Sequence, residues 1–341
     1  MSSEIRQNKA TKEWVIISPS RGKRPHDFGQ RKAERQPVPR YQADCPFCPG
    51  NEERLTPILY QASVPGSDSW QTRVVPNKFP ALTPDNSVER YGVGPYVALP
   101  GYGQHEVVIE SPRHDQELAG LGQAQLQTVI NTYHQRYLAL WADPKNTLIL
   151  IFRNHGPRAG ASLLHPHSQV ISTGIIPRHL RWREEEAERY YDEWGHCVFC
   201  DILAFEATDR QRVVLENESY LAFVPFAAEV PFELWIMPKR HQSDFAHTSN
   251  EERGALAQAM HSVLGRLHTK LNDPDYNYVF TTYNRPASEP HVHWYLRIRP
   301  RLVTRAGFEI GSGIRVNPSL PEADAAFLND GERGVAASTK A

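Results

Sequence analysis

A chain of 341 residues is long enough for two domains of ordinary size or for a single large one. Its composition, 40% hydrophobic and 23% charged, is typical of a globular protein, and a net charge of −1 gives no overall attraction to nucleic acid or to membrane surfaces. No apolar run approaches the roughly 20 residues of a membrane helix, and the polar N-terminus lacks the apolar stretch of a signal peptide. We therefore expect a cytoplasmic protein.

The first distinctive segment is the basic run SPSRGKRPHDFGQRK at residues 18–32. Most runs of this kind are solvated loops. Because guanidinium groups pair well with phosphate, the functional interpretation is that Arg21 and Arg24 contact a phosphorylated substrate. A proline-rich loop over residues 31–46 follows and leads into the first cysteine pair.

The next elements predict an α+β unit. Residues 105–111 (HEVVIES) predict a strand that delivers His114 just past its end. An amphipathic helix is predicted over residues 116–141, and buried strands over residues 148–154 and 169–173. We expect a mostly antiparallel sheet with helices on one side.

Residues 165–170 (HPHSQV) carry the strongest chemical signal. In an extended chain residues i and i+2 share a face, so a metal that holds His165 places His167 beside it. A neutral imidazole whose other nitrogen is hydrogen-bonded is a good nucleophile toward phosphorus. Gln169 can then donate to a phosphate oxygen, and Ser162 in the small-residue loop upstream can receive phosphate. The alternative is that His167 is a structural histidine next to a metal.

The second half repeats the first. A charged linker helix is predicted over residues 176–196, and a helix over residues 250–271 begins with the capping-box pattern of Ser249 and Glu252. Further strands are predicted at residues 232–238, 278–284 and 293–300. Three signatures recur in the same order: CxxC, a strand that ends at a histidine, and HxH. We interpret this as two copies of one α+β unit, with domains at residues 1–176 and 177–341.

Each half supplies two cysteines and two histidines, the ligand set of a closed tetrahedral zinc site. A reducing compartment disfavours structural disulfides, although one CxxC alone could equally be a buried or redox-active pair. Iron in place of zinc is possible at the second site. The predicted ligands are Cys45, Cys48, His114 and His165 in the first half, and Cys197, Cys200, His241 and His291 in the second. The second HxH is followed by Trp294 and Tyr295 instead of Ser168 and Gln169, so we expect only the first half to be catalytic.

Six segments together resemble the galactose-1-phosphate uridylyltransferase family of the histidine-triad superfamily. In chain order they are SPSRGKRP, CPFCPGNE, VVPNKFPAL, FRNHGPRAGASLLHPHSQ, VPFAAEVPFELWIMPKRH and AGFEIGSG. The resemblance covers nearly the whole chain. It implies two tandem histidine-triad-like halves, each a mostly antiparallel sheet with helices packed on it, and a homodimer.

The resemblance also implies a ping-pong reaction. His167 attacks the α-phosphorus of UDP-glucose, glucose 1-phosphate leaves, and galactose 1-phosphate takes UMP from the nucleotidyl-histidine. By motif position, Ser162 and Gln169 resemble phosphate contacts, and Asn77 and Asn154 resemble nucleotide contacts. The remaining implied residues are the hexose-phosphate contacts Arg21 and Arg24 and the sugar-hydroxyl contact Glu309, whose segment completes the partner's site in the family.

The sequence departs from the family pattern at several positions. Ser168 replaces a glycine, and Lys78, Phe308 and His26 replace aspartate, tyrosine and tryptophan. The segments HSQ and GFEIGSG and the second CxxC resemble the ADP-glucose phosphorylases, which carry an adenylyl group on the same histidine and pass it to inorganic phosphate. The sequence therefore leaves open which nucleobase the donor carries and whether the acceptor is a sugar phosphate or inorganic phosphate.

Two further alternatives concern the class of function. A hydrolase of nucleotide conjugates usually has a histidine where this chain has Gln169, so the sequence disfavours it. A non-enzymatic zinc-binding module would need no Gln169, no Ser162 and no pair of arginines, and its His167→Asn variant would behave like the wild type.

Overall fold

The computed structural model describes residues 2–21, 37–64, 66–283 and 289–330, and the statements below concern these residues. The first half contributes the strands β1 (Glu4–Gln7), β2 (Trp14–Ile17), β3 (Tyr60–Ser63), β4 (Trp70–Pro76), β5 (Tyr91–Val93), β6 (Tyr96–Ala98), β7 (His105–Ile109), β8 (Leu148–His155) and β9 (His167–Thr173). The second half contributes β10 (Val213–Glu216), β11 (Tyr220–Phe223), β12 (Leu234–Pro238), β13 (Tyr276–Thr281), β14 (Tyr295–Pro300) and β15 (Arg315–Asn317). The α-helices are α1 (Gln123–Trp141), α2 (Arg178–Trp194), α3 (Val198–Asp209), α4 (Asn250–Lys270), α5 (Gly307–Ser312) and α6 (Pro321–Asn329).

Ten strands form one antiparallel sheet that both halves share. Its order is β10-β11-β12-β14-β13-β8-β9-β7-β4-β3. The halves meet where β13 pairs with β8, from Tyr276 opposite His155 to Val279 opposite Phe152. Neither half therefore has a free sheet edge at this junction, because the backbone N–H and C=O groups of β8 and β13 bond to each other.

Helices α1 and α4 pack against each other and cover one face of this sheet. The apolar residues that face the sheet are fully buried, among them Leu126, Ile130 and Tyr133 of α1 and Met260 of α4. Burying each side chain of this size contributes about 1.5–3 kcal/mol. Helix α4 starts at the predicted capping box, in which Ser249 Oγ accepts from the N–H of Glu252 at 3.2 Å. On the opposite face, α2 and α3 pack against the strands of the second half, whereas the strands of the first half carry the functional residues.

The prediction of an α+β fold with an antiparallel sheet and packed helices is confirmed. The predicted strand that follows each HxH is present as β9 and β14, and the linker helix is present as α2. The boundary at residues 176 and 177, between β9 and α2, stays a prediction. Within the described residues, no helix has both the length and the apolarity to cross a membrane.

A small sheet of β1, β2 and β15 lies beside the second half, where Asn317 donates to the carbonyl oxygen of Ala228. Arg6 of β1 donates to Glu322 of α6 at 2.9 Å. Asp324 of α6 is fully buried. One of its carboxylate oxygens accepts from the N–H of Phe232 at 2.9 Å, and Ser319 donates to the other. Burial raises the pKa of Asp324 to about 7, although both hydrogen bonds act in the opposite direction.

We expect Asp324→Asn to remove a pH dependence of stability. The folded protein binds a proton at Asp324 between about pH 4 and pH 7, whereas the unfolded chain, with its ordinary carboxyl pKa, does not. The free energy of unfolding of the wild type therefore falls as pH rises through this window, by roughly 2 kcal/mol between pH 5 and pH 7 from this group. Urea denaturation of both proteins at the two pH values measures the difference; equal pH dependence in both would contradict the expectation.

Candidate functional site

The site is built on a cluster of four buried side chains in the first half. Strand β7 ends five residues before one histidine of the cluster, and β9 begins two residues after the other. The four are Cys45, Cys48, His114 and His165, and their ligand atoms lie within 4.8 Å of one another. Sγ of Cys48 is 3.5 Å from Nδ1 of His114 and 3.7 Å from Nδ1 of His165. We call this group the first cluster.

The spacing in the first cluster fits a tetrahedral metal centre. Zinc bonds of about 2.3 Å to sulfur and about 2.0 Å to nitrogen require S···N edges of about 3.5 Å and N···N edges of about 3.3 Å. The Nδ1 atoms of His114 and His165 are 3.3 Å apart. Nε2–H of His165 donates to the Ser111 carbonyl at 2.8 Å, which leaves the Nδ1 lone pair directed at the cluster. Burial lowers the pKa of His165 to about 4, so its imidazole is neutral, as metal binding requires.

A second cluster in the other half differs from the prediction at one ligand. Sγ of Cys200 lies 3.3 Å from Nδ1 of His241 and 3.5 Å from Nδ1 of His293. Cys197 completes the set, which is also compatible with zinc. The prediction of His291 is corrected to His293: His291 contributes its carbonyl oxygen, which accepts from Sγ of Cys197 at 3.4 Å, and its ring is not part of the cluster.

The physical reason for this correction is the position of the strands. β9 begins at His167 and β14 begins at Tyr295, and the cluster histidine precedes each strand by two residues. The two strand starts are 128 residues apart, and the strand pairing repeats with the same spacing. Val107 of β7 lies opposite Gln169 of β9, and 128 residues later Trp235 of β12 lies opposite Arg297 of β14. Aligning the two HxH motifs with each other therefore gives an error of two residues: His293, and not His291, corresponds to His165. Tyr295, and not a histidine, takes the place of His167 in the second half.

His167 is held as a neutral imidazole with one nitrogen directed away from the backbone. Its Nδ1 lies 2.8 Å from the carbonyl oxygen of His165. Because a carbonyl only accepts, Nδ1 carries the proton and Nε2 carries the lone pair. Burial lowers the pKa of His167, and the edge of Phe47 packs against the ring, with centroids 5.6 Å apart. No described residue hydrogen-bonds Nε2, so the lone pair is available to an electrophile.

Gln169 lies on the same face as His167, and its amide has a defined direction. The backbone N–H of Ala81 donates to Nδ1 of His105 at 3.3 Å, and Nε2 of His105 lies 2.6 Å from Oε1 of Gln169. With Nδ1 accepting, Nε2 carries the proton and donates to Gln169. The amide NH₂ of Gln169 is thereby left as a donor. Asn77 lies next to this group, with its Nδ2 3.1 Å from Nε2 of His105; because both atoms carry hydrogen, this is a contact and not a hydrogen bond.

Asn154 is the next predicted site residue that the fold brings to this face. Phe152 of β8 lies opposite Gln169 of β9, and the same register continued for two residues places Asn154 opposite His167. Neighbouring residues in this arrangement have Cα atoms about 4.5–5.5 Å apart. Ser162 lies in the loop before His165, where it is exposed and makes no side-chain hydrogen bond with described residues. His167, Gln169, Asn77 and Asn154 are thus gathered, whereas Ser162 makes no hydrogen bond to any of them in the part of the chain that the structure describes.

The structure places the remaining predicted residues elsewhere. Arg21 ends a short 3-10 turn (Pro19–Arg21), and its side chain and the whole of Arg24 lie outside the described residues. Glu309 of α5 accepts hydrogen bonds from the N–H groups of Ala306 at 3.0 Å and Val316 at 3.3 Å. Its carboxylate therefore stabilises its own helix start in the single chain.

A buried polar network behind the nucleophile was not predicted from the sequence. Ser168 points to the helix-covered face, where it donates to Glu110. Tyr133 also donates to Glu110, at 2.9 Å, and Arg153 donates to it at 3.0 Å. The hydroxyls of Tyr133 and Tyr278 are 2.6 Å apart, which ties the second half to the first. The signal in the sequence was a charged residue directly after each of two apolar runs: Glu110 follows residues 107–109, and Arg153 follows residues 148–152.

The network extends to the loop that carries His114. Glu117 accepts from Arg153 at 2.6 Å and lies 3.2 Å from Nδ1 of His155. Burial opposes ionisation of Glu117, but the charges of Arg153 and His155 outweigh it and hold the pKa of Glu117 well below its usual range. The pair of Arg153 and Glu110 is fully buried, and removing one partner of such a pair typically costs about 3–5 kcal/mol. Since Ser168 and Tyr133 also donate to Glu110, the network links β9 to α1.

Comparison with known proteins agrees with this arrangement. Residues 1–177 match the family model described as galactose-1-phosphate uridyl transferase, N-terminal domain, and residues 183–311 match the model of its C-terminal domain. The chain belongs to the galactose-1-phosphate uridyl transferase family. The resemblance seen in the sequence is thereby confirmed, and the protein is an enzyme of this nucleotidyltransferase family.

Relatives within the uridyl transferase family carry two different names. The chain is 36% identical over 329 residues to an ADP-glucose phosphorylase of Arabidopsis thaliana, covering 94% of this chain and 91% of the relative. It is 29% identical over 340 residues to a galactose-1-phosphate uridylyltransferase of Thermotoga maritima, covering 96% and 98%.

Solved structures divide in the same way. A crystal structure of an ADP-glucose phosphorylase from Arabidopsis thaliana with bound ADP-glucose has a TM-score of 0.82 at 32% identity, covering 97% of this chain and 99% of that one. A structure of a uridylyltransferase has a TM-score of 0.75 at 27% identity, covering 97% and 99%.

Proposed function

We propose that the protein transfers a nucleotidyl group from a nucleotide sugar through a covalent intermediate on Nε2 of His167. The observation that carries the proposal is the hydrogen bond from Nδ1–H of His167 to the carbonyl oxygen of His165. It fixes the tautomer that leaves the Nε2 lone pair beside the amide groups of Gln169 and Asn154. A histidine oriented in this way is suited to nucleophilic catalysis.

In the first step, Nε2 attacks the α-phosphorus of the donor and forms a P–N bond. The bond from the α-phosphorus to the bridging oxygen breaks, and glucose 1-phosphate leaves with the electron pair. The NH₂ groups of Gln169 and Asn154 stabilise the charge on the phosphoryl oxygens during the transfer. In the second step, an acceptor phosphate oxygen attacks the same phosphorus, the P–N bond breaks, and neutral His167 is restored.

We take ADP-glucose as the donor and inorganic phosphate as the acceptor, so that the products are glucose 1-phosphate and ADP. Identity and TM-score are both higher for the ADP-glucose phosphorylase than for the uridylyltransferases compared above. The segments HSQ and GFEIGSG, which resemble the ADP-glucose phosphorylases, also favour this branch.

Transfer of UMP from UDP-glucose to galactose 1-phosphate is the second candidate. It is supported by the family models that span both halves and by the 29% identity to the Thermotoga maritima enzyme over nearly the full length of both chains. The chemistry at His167 is the same in both reactions. The two reactions differ only in the nucleobase of the donor and in the acceptor.

We further propose zinc as the metal of both clusters and a homodimer as the active form. Two thiolates and two imidazoles at tetrahedral spacing are the usual zinc set. In a homodimer, Glu309 and its segment would reach the site of the partner, as the resemblance implies. When bound, the metal of the first cluster holds the cysteine loop and His165 together.

The test is the mass of the intact protein after mixing with ADP-glucose or with UDP-glucose in the absence of an acceptor. We expect a gain of one AMP from ADP-glucose, followed by its release as ADP when inorganic phosphate is added. A gain of one UMP that galactose 1-phosphate removes would instead establish the second candidate. No gain from either donor would overturn the covalent mechanism.

A further inference from the structure

Asn154 and Asn277 lie directly opposite each other where the two halves join. Their strands, β8 and β13, pair with Asn277 opposite Asn154. Nδ2 of Asn277 donates to Oδ1 of Asn154 at 2.7 Å and to the carbonyl oxygen of Ala159 at 2.9 Å. Oδ1 of Asn277 accepts from Nε of Arg301 at 2.5 Å. Three strands thus place His167, Asn154 and Asn277 in one row across the open face.

The direction of these hydrogen bonds follows from the groups at the two ends. Arginine can only donate, so the oxygen of the Asn277 amide must face Arg301. A carbonyl oxygen can only accept, so the NH₂ of the same amide must face Ala159. Arg301 and the Ala159 carbonyl therefore require the same orientation of the Asn277 amide. This holds whichever atom of the amide is taken as the nitrogen, because each neighbour can play only one role in a hydrogen bond.

This orientation is passed on to Asn154. The oxygen of its amide is occupied by the NH₂ of Asn277, and its own NH₂ has no acceptor among the described residues. Asn154 therefore has its NH₂ free to act as a donor to a bound ligand. The phosphoryl oxygens of a nucleotide are acceptors only, so the two are complementary.

We propose that Asn277, supplied by the second half, is a positioning residue that holds Asn154 as a hydrogen-bond donor to a phosphoryl oxygen of the nucleotide bound at His167. The inference rests on the proposed function. Asn277 does not touch the nucleotide and acts only through Asn154. Arg301 reinforces the orientation, which the Ala159 carbonyl also fixes independently.

The decisive variant is Asn277→Asp. The aspartate still accepts from Arg301 but has no NH₂ for Asn154, so Asn154 turns its own NH₂ toward the aspartate and presents an oxygen to the phosphate. Asn277→Ala merely releases Asn154. We expect the rate of nucleotidyl-His167 formation to fall about 100-fold in Asn277→Asp and about 10-fold in Asn277→Ala. Arg301→Lys retains a donor and is expected to stay within about threefold of wild type.

Three controls separate positioning from general damage. Asn86→Asp introduces the same charge at an exposed asparagine, which donates to the Gly101 carbonyl, and is expected to label like wild type. Thermal unfolding shows whether each variant is folded. In an Asn154→Ala background, Asn277→Asp is expected to have no further effect, because the residue it acts through is gone. Affinities for AMP and UMP are measured on the same variants by calorimetry.

The outcomes distinguish this inference from the function on which it rests. Failure of the wild type to become labelled overturns the proposed function, and the nucleotide affinities then decide the role of Asn277. Wild-type labelling and affinity in Asn277→Asp overturn the inference alone. Equal losses from Asn277→Asp with and without Asn154 also overturn it, since the effect would then be independent of Asn154.

Discussion

His167→Asn is expected to abolish nucleotidyl transfer, with a loss of roughly 10⁴-fold or more, while the protein remains folded. The side-chain amide can still donate to the carbonyl oxygen of His165, so the local hydrogen bond at 2.8 Å has a substitute. It has no lone pair able to attack phosphorus, so the covalent step is lost and only binding and orientation remain. Losses of this order follow removal of a covalent nucleophile in other enzymes.

The measurement is the mass of the protein with ADP-glucose and with UDP-glucose, together with turnover in the presence of each acceptor. His261→Asn is the matched control, because His261 is exposed on α4, on the helix-covered side. Both variants are expected to keep the metal content and unfolding temperature of the wild type. Labelling of His167→Asn at the rate of the control would mean that another residue carries the nucleotidyl group.

Features that depend on local sequence were predicted well. Helix α4 was predicted at residues 250–271 and found at Asn250–Lys270, since the capping box at Ser249 defines its start. The strand at residues 148–154 was found at Leu148–His155, because a continuous apolar run between polar turns admits few other structures. The first cluster was predicted in full, because its four residues belong to three short motifs: the CxxC pair, the histidine that follows a strand, and the HxH.

Features that depend on strand register were predicted poorly. The exchange of His291 for His293 is a slip of two residues, which keeps the side chain on the same face and is therefore invisible to the alternation pattern. The pairing of β13 with β8 joins residues more than 100 positions apart, and nothing local encodes it. The role inferred for Asn277 depends entirely on that pairing. Glu110 and Arg153 are charged residues that follow apolar runs, but only the fold shows that they are partners.

The two clusters are expected to differ in their effect on activity, although they share the same ligand types. In the first half, one residue has two roles: the ring of His165 belongs to the cluster, and its carbonyl oxygen holds His167. Loss of the metal would free the ring and shift the carbonyl. In the second half, the strand after His293 begins with Tyr295, which is buried among aromatic residues such as Trp235. A shift of His293 would move Tyr295, which does not contact His167.

We therefore expect Cys48→Ser and Cys200→Ser each to lose about one metal ion per chain, since a hydroxyl is a much poorer zinc ligand than a thiolate. Only Cys48→Ser is expected to slow the formation of nucleotidyl-His167, by about 100-fold. Cys200→Ser, the same chemical change in the matching position, is expected to stay within a few-fold. Elemental analysis of the purified proteins and the labelling rate measure the two effects separately. Retention of full metal content and full labelling rate by Cys48→Ser would refute the first cluster as a metal site. An equal loss of labelling rate in Cys200→Ser would show that the hydrogen bond between His165 and His167 does not link metal binding to catalysis.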